Sequence, residues 1–266
     1  MITKTEAVVL KTMRFRDTSK IVTFYTRSFG KLKAVAKGAR ELRSKFGAAL
    51  QPMTHVDLVV YKKENRDLQL VSQCDVRVPF KRAHSEMERM SVGMAMVELT
   101  DKVTHEEEEQ EGLFSLLSQC LMILDRTDGN LQALFHAFEL RLAVEFGFAP
   151  SLEQCLICRK SHQQFHSRDL TIFQPSKGGF VCPDCCINRS TRLVDEVRIR
   201  DGHRTTVETI RTLHLFLAQP LDTVPSIAYD ETLGNEIDET LRLYLRQHFE
   251  GLKPLKSTEI FHKLFA

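Results

Sequence analysis

The 266-residue chain has no stretch approaching the roughly 18 uninterrupted apolar residues that a membrane-crossing helix requires, so an integral membrane span is excluded. The first apolar run, Ala7–Leu10, follows an acid and stops at Lys11, too short for the core of a secretory leader. The expectation is a cytoplasmic protein with no membrane partner. Signatures of several enzyme classes are also missing. There is no G-x4-G-K-[ST] phosphate loop, since Gly178-Gly179 is followed by Phe180, and no H-E-x-x-H or G-x-S-x-G. His84-Ser85-Glu86 supplies the H-x-E of a zinc deaminase, yet that signature places Pro before its C-x-x-C, where Gln154 and Val181 stand here. Internal repeats and low-complexity tracts are absent. What remains is 42% apolar and 27% charged, the balance of a globular protein, with a length that suits two domains at roughly 150 residues each.

The net charge of +2 hides an asymmetry. Residues 1–45 hold twelve basic side chains against three acids, an excess of nine, so residues 46–266 carry a net charge of −7. Clustered cations create a local positive potential suited to a polyanion, and nucleic acid is the candidate. The candidate phosphate-contacting residues are Lys11, Arg14, Arg16, Lys20, Lys31, Lys33, Lys37, Arg40, Arg43 and Lys45. A solvated basic face without a ligand is the competing account, although like charges packed this densely cost stability unless something compensates. Phe15, Tyr25 and Phe29 are available to stack on unpaired bases or to fill a core.

Five short segments rich in β-branched and aromatic residues occupy the first 80 positions: Glu6–Met13, Lys20–Thr26, Lys31–Lys37, Val56–Tyr61 and Leu68–Val78. Five strands in that span suit a small closed antiparallel barrel, an oligonucleotide-binding (OB) fold or an SH3-like one. After Pro79 the period becomes helical. Met87, Met90, Met94, Val97 and Leu99 form one stripe, expected to be core, and stripes through Leu113–Leu124 and Leu131–Leu142 follow. The acidic stretch His105–Glu111 reads as a solvated connection, and Asp128-Gly129-Asn130 as a helix break. Two further helices are expected over His203–Leu217 and Leu233–Phe249. The fold class is therefore α+β, with an OB-type barrel at 1–79, a helical domain at 80–150 and 193–266, and a cysteine module at 151–192 inserted between them.

Five of the seven cysteines fall between Cys155 and Cys186. Cys155-x2-Cys158 and Cys182-x2-Cys185 are two pairs that each wrap half a tetrahedron, and a hairpin through Leu170–Phe173 and Phe180–Val181 would bring them together. The expected ligand is one Zn2+, held by four thiolates with no open coordination position and hence structural. The resulting charge would be offset by Arg159, Lys160, Lys177, Arg189 and Arg192. Cys186 is an alternative to Cys185, and His162 or His166 to one of the sulfurs. Cys74 and Cys120 read as core thiols.

Taken in order, Glu6–Thr12, Asp17–Thr23, the phrase Gly30-Lys31-Leu32-Lys33-Ala34-Val35-Ala36-Lys37-Gly38-Ala39-Arg40, Phe46–Pro52, Gly147–Pro150 and the Cys155 to Cys185 array resemble the RecO family of bacterial DNA repair proteins. The resemblance spans nearly the whole chain and is densest up to Pro52. It implies an OB fold, a helical domain and a zinc module without enzymatic turnover. It also implies a nucleoid-associated protein that binds single- and double-stranded DNA and anneals complementary strands. With RecR as partner, such a protein helps RecA replace the single-stranded DNA-binding protein (SSB), engaging the SSB C-terminal tail. Two other classes remain open on the residues alone: an adaptor whose basic patch meets an acidic protein, and a metal-dependent enzyme acting on nucleic acid.

Overall fold

The structure, a computed structural model, describes residues 1–63, 66–106, 108–187 and 202–257. It divides into two compact units, Met1–Thr127 with the segment from Pro254, and Asp128–Lys253.

The first unit begins with five strands, β1 (Ile2–Phe15), β2 (Ser19–Thr26), β3 (Gly30–Ala36), β4 (His55–Tyr61) and β5 (Gln69–Val78), closed in the order β1-β2-β3-β5-β4. All pairings are antiparallel except β3 with β5, which is parallel and covers only Ala34–Gln69 and Val35–Leu70. This is an OB-like barrel. Alternate residues point inward, so Val22 and Phe24, Leu32, Ala34 and Ala36, and Val56, Leu58 and Val60 fill one core with Ala7, Val9 and Cys74. A bulge between Val9 and Lys11 resets the parity of β1, leaving Lys11 and Met13 opposite the outward Thr23 and Ile21.

Behind the barrel lie α1 (Lys81–Ser85), α2 (Met87–Val103) and α3 (Glu111–Arg126). The buried side of α2 differs from the expected methionine stripe. Within the expected stripe Val97 and Leu99 are buried and Met94 is half-buried, but Met87 and Met90 are 64% and 39% exposed, and Val92, Met96 and Val103 are buried outside it. The reason is that α2 meets two partners: it packs across β1 and also against α3, so its apolar surface is wider than one stripe. Gly93 marks the tightest point, since a Cβ there would lie 2.5 Å from the Met53 sulfur and 3.1 Å from a Leu124 methyl. The C-terminal segment is tied to α2 by Glu98, which accepts the backbone N–H groups of Lys256 and Ser257, each at 3.0 Å.

The second unit holds α4 (Leu131–Glu145), a three-stranded sheet of β6 (Leu170–Gln174), β7 (Gly179–Val181) and β8 (His203–Thr206), and the helices α5 (Pro183–Ile187), α6 (Val207–Ala218) and α7 (Glu231–His248). The expected hairpin is present, with Ile172 opposite Val181 and Phe173 opposite Phe180. His203–Thr206, expected as the first turn of a helix, is instead the third strand, paired with β6 from Leu170 to Phe173. Thr206 then N-caps α6 by accepting the Thr209 N–H, so the Arg204-Thr205-Thr206 run changes from ladder to cap within a residue. No described helix is long and apolar enough to cross a membrane.

Helix α4 is buried on almost every side, and with it Glu139, whose Oε2 has no hydrogen-bond partner. Burial, and then the charge of Asp238, hold the Glu139 carboxyl well above the usual carboxylate range. A raised folded value means that stability is fully present below the unfolded value of about 4.3 and is lost as pH climbs toward the folded one. Glu139→Met is therefore expected to flatten the decline of melting temperature above pH 5 and to raise it by about 3 °C or more at pH 8. Thermal melts across pH 4–9 check this, and a variant that declines as steeply as the parent contradicts it.

Candidate nucleic-acid face and metal centre

Directly opposite residues of neighbouring strands share a face, so the outward side of β1-β2-β3 can be read row by row. One row is Lys11–Thr23–Lys33, the next Met13–Ile21–Val35, and the last begins at Phe15 and Ser19. Met13 is 52% exposed at the centre of this face, with Ile21 and Val35 half-buried beside it. Strands about 4.8 Å apart make such a row roughly 10 Å wide, the breadth of a nucleobase with its sugar. The apolar row between cations was not singled out from the sequence, although its period-2 signal was present there.

Cations gather at the end of the barrel that this face reaches. Arg14 lies opposite Lys20, and Lys20 opposite the core residue Ala36, so both have inward parity and stand at the rim, while Lys37, one residue after Ala36, returns to the outer side. Arg16 is in the turn after β1, in a left-handed conformation with φ of 52°. Arg40 donates to the Arg16 and Asp17 carbonyls at 3.2 and 2.9 Å, joining the segment after β3 to that turn. Arg43 is exposed, and Lys45 donates to the Ser72 carbonyl beside the Phe46 ring. Two of the ten candidates are differently placed. Lys31 is only 13% exposed, pairs with Asp101 at 2.9 Å and donates to the Thr104 carbonyl. Lys33 pairs with Glu106, whose carboxylate raises the lysine's pKa. Among the described residues the other eight have no carboxylate partner. Of the aromatics, Tyr25 is fully buried, Phe29 packs on the barrel core beneath Lys62, and half-buried Phe15 lies under the Arg16 guanidinium.

In the second unit Cys155, Cys158, Cys182 and Cys185 converge, their sulfurs all within 4.8 Å of one another. Bonds of about 2.3 Å at tetrahedral angles would put thiolates on one zinc about 3.8 Å apart, and the Cys158 and Cys182 sulfurs are 3.5 Å apart. The Cys155 sulfur accepts the N–H groups of Ile157 and Cys182 at 3.4 and 3.3 Å, a geometry that stabilises a thiolate. Burial pushes the Cys185 thiol up to about 12 and raises Cys182 as well. Cys158 goes the other way, because its burial is outweighed by the Lys160 N–H and by the neighbouring thiols. Four sulfurs so placed deprotonate together only around a cation, so the cluster is able to hold a metal ion. Cys186 donates to the Val181 carbonyl, and the His162 ring lies tilted against His214; neither is among the four converging residues. Lys160 pairs with Asp184, Arg159 is exposed, and Arg189 and Arg192 lie outside the described residues. Cys74 and Cys120 are buried core thiols.

An OB-like barrel with a cationic end, followed by helices and a four-cysteine cluster, defines a barrel-plus-helix protein of the α+β class with a candidate metal knuckle. The comparisons with known proteins agree on one family. The model "Recombination protein O N terminal" matches residues 1–80, and "Recombination protein O C terminal" matches 84–259. The DNA repair protein RecO of Chloroherpeton thalassium is 31% identical over 266 residues, 99% of each chain. The protein of the same name from Chlorobium limicola is 31% identical over 254 residues, 94% of each chain. That of Syntrophus aciditrophicus is 30% identical over 261 residues, 98% of this chain and 95% of its own. The chain belongs to the recombination protein O family of DNA repair proteins.

Proposed function

We propose that this protein is a non-enzymatic recombination mediator that binds single- and double-stranded DNA through the barrel and anneals complementary strands. The observation that carries the reading is the outer face of β1-β2-β3, an apolar Met13–Ile21–Val35 row bordered by Lys11 and Lys37 and running to a barrel rim that carries Arg14, Arg16, Lys20 and Arg40. Phosphates neutralised by those cations release counterions, and unpaired bases lie over Met13, Ile21 and the edge of Phe15. Arg43 and Lys45 extend the phosphate track. Annealing then needs no nucleotide, since screening the repulsion between two strands leaves base pairing to drive the reaction.

The family membership supports the finer assignment, in which the protein acts with RecR to help RecA replace SSB and engages the SSB C-terminal tail. In this reading residues 1–79 are the DNA-binding domain, and Cys155, Cys158, Cys182 and Cys185 hold one structural Zn2+ in a module at 151–192 within the helical part. The protein works in the cytoplasm, on the nucleoid. The test is annealing of complementary strands, naked and SSB-coated, without nucleotide. Both should accelerate by about tenfold or more, and deleting the acidic tail of SSB should abolish the effect on coated strands alone. A requirement for ATP, or indifference to tail deletion, leaves a generic DNA-binding protein and rejects the mediator assignment.

A further inference from the structure

The connection between α2 and α3, expected as a solvated acidic spacer, does not run free. Beyond α2 the chain turns along the edge of β3 at Gly30–Lys33, a stretch that β5 does not pair. Glu106 forms a parallel bridge with Lys31 through the backbone while its carboxylate pairs with Lys33. Two residues on, the Glu108 carbonyl presses so closely on Gly30 that a Cβ there would be 1.8 Å from it. Gly30, at φ of 58°, is thus the residue type that both the turn and the contact require. Further along, the Tyr25 hydroxyl donates to the Gln110 carbonyl at 3.5 Å, and Asp101, in the last turn of α2, pairs with Lys31.

Lys33 shares a row with Lys11, so the Glu106 carboxylate lies where a phosphate crossing the three strands would lie. We propose that the acidic segment after α2 is a built-in competitor, seated on the β3 border of the DNA face, which a nucleic-acid strand must displace to use Lys33. The inference rests on the assignment of that face to DNA. The Lys33–Glu106 pair is 42% and 40% exposed, and exposed pairs are weak, so a polyanion making several contacts at once dislodges it. A lone anion or an acidic surface patch, with one contact to offer, does not. The segment therefore raises the threshold for weak anions and leaves long strands able to bind. The Lys31 pair, more buried and joined to two carbonyls, stays in place and anchors the segment at its base.

The experiment is a salt titration of a fluorescent oligothymidine strand by the full chain, in the parent, Glu106→Gln, Lys33→Gln and the double variant. Glu106→Gln is expected to bind about fivefold more tightly, the most that an exposed pair would withhold. The slope of log K against log salt should stay near that of the parent, because the strand reaches Lys33 in both and only the cost of displacing Glu106 is removed. The gain should vanish when Lys33→Gln is added, which distinguishes release of that lysine from a general loss of negative charge. Glu88→Gln, which removes an exposed acid of α2 away from the face, should leave affinity unchanged. If the parent binds DNA but Glu106→Gln does not change affinity, or gains equally with and without Lys33, the competitor is rejected while the DNA face stands. If neither parent nor variants bind the strand, the face assignment fails and the competitor with it.

Discussion

With the four cysteines holding the proposed zinc, Cys182→Ser is expected to cost the second unit its metal and most of its stability. A structural zinc site contributes on the order of 10 kcal/mol of apparent binding free energy, comparable with the roughly 5–15 kcal/mol that holds a whole domain folded. Cys182 is buried between Cys155 and Cys158, and its own N–H donates to the Cys155 sulfur, so the replacement disturbs two ligands at once. Cys158→Ser, at the exposed side of the cluster, should give the same loss of metal with less direct disruption of packing. Elemental analysis should fall from about one zinc per chain to well under half, and thermal melts should lose the transition of this unit or shift it by more than 10 °C downward, at about 2–4 °C per kcal/mol. Cys186→Ser is the control. That thiol donates to the Val181 carbonyl and is not one of the four converging sulfurs, so its replacement should keep the metal. A Cys186 variant that loses zinc, or a Cys182 variant that keeps it, would redraw the ligand set.

The elements legible in the sequence are those whose signal is local. Alternation in Lys20–Thr26 and Lys31–Lys37 marked β2 and β3 within a residue or two, because one face of each must enter the barrel. The paired Cys-x2-Cys spacing likewise marked the four cysteines that converge, since each pair forms one half of the cluster. What was hidden depends on partners distant in the chain. β1 begins at Ile2, well before its apolar run, because β4 pairs with it out to Tyr61. β8 is four polar and β-branched residues that become a strand only through the ladder offered by β6. The stripe of α2 held at Val97 and Leu99 and failed at Met87 and Met90, and the buried surface is wider than one stripe because that helix is covered on two sides, by β1 and by α3. The charge excess placed the cations within the first 45 positions, yet composition counts Lys31 and Lys33 equally with Lys37. Only the fold brings Asp101 and Glu106, some 70 positions later, onto the first two.

That difference sets the choice of residues for the sharpest test of the DNA face. Lys11, Arg14 and Lys37 are exposed and have no carboxylate partner among the described residues, so changing them together to Glu should remove binding without loosening internal contacts. If the parent engages four to six phosphates, its slope on single strands should be about −3 to −4, at roughly 0.7 per contact. Losing three contacts should bring that slope to about −1 to −2, and three new repulsions should lower affinity by more than about 100-fold at moderate salt. The melting temperature should hold or rise, because the triple variant relieves the mutual repulsion of the cluster. Lys31→Glu should do the reverse. It would set a carboxylate against that of Asp101 and against the Asp101 and Thr104 carbonyls and lower stability, with any loss of binding secondary to that. Measuring both variants by melting and by anisotropy at one fixed salt concentration separates a phosphate contact from a structural pair. Unchanged affinity in the triple variant, with the fold intact, would remove the barrel's outer face from the account of DNA binding.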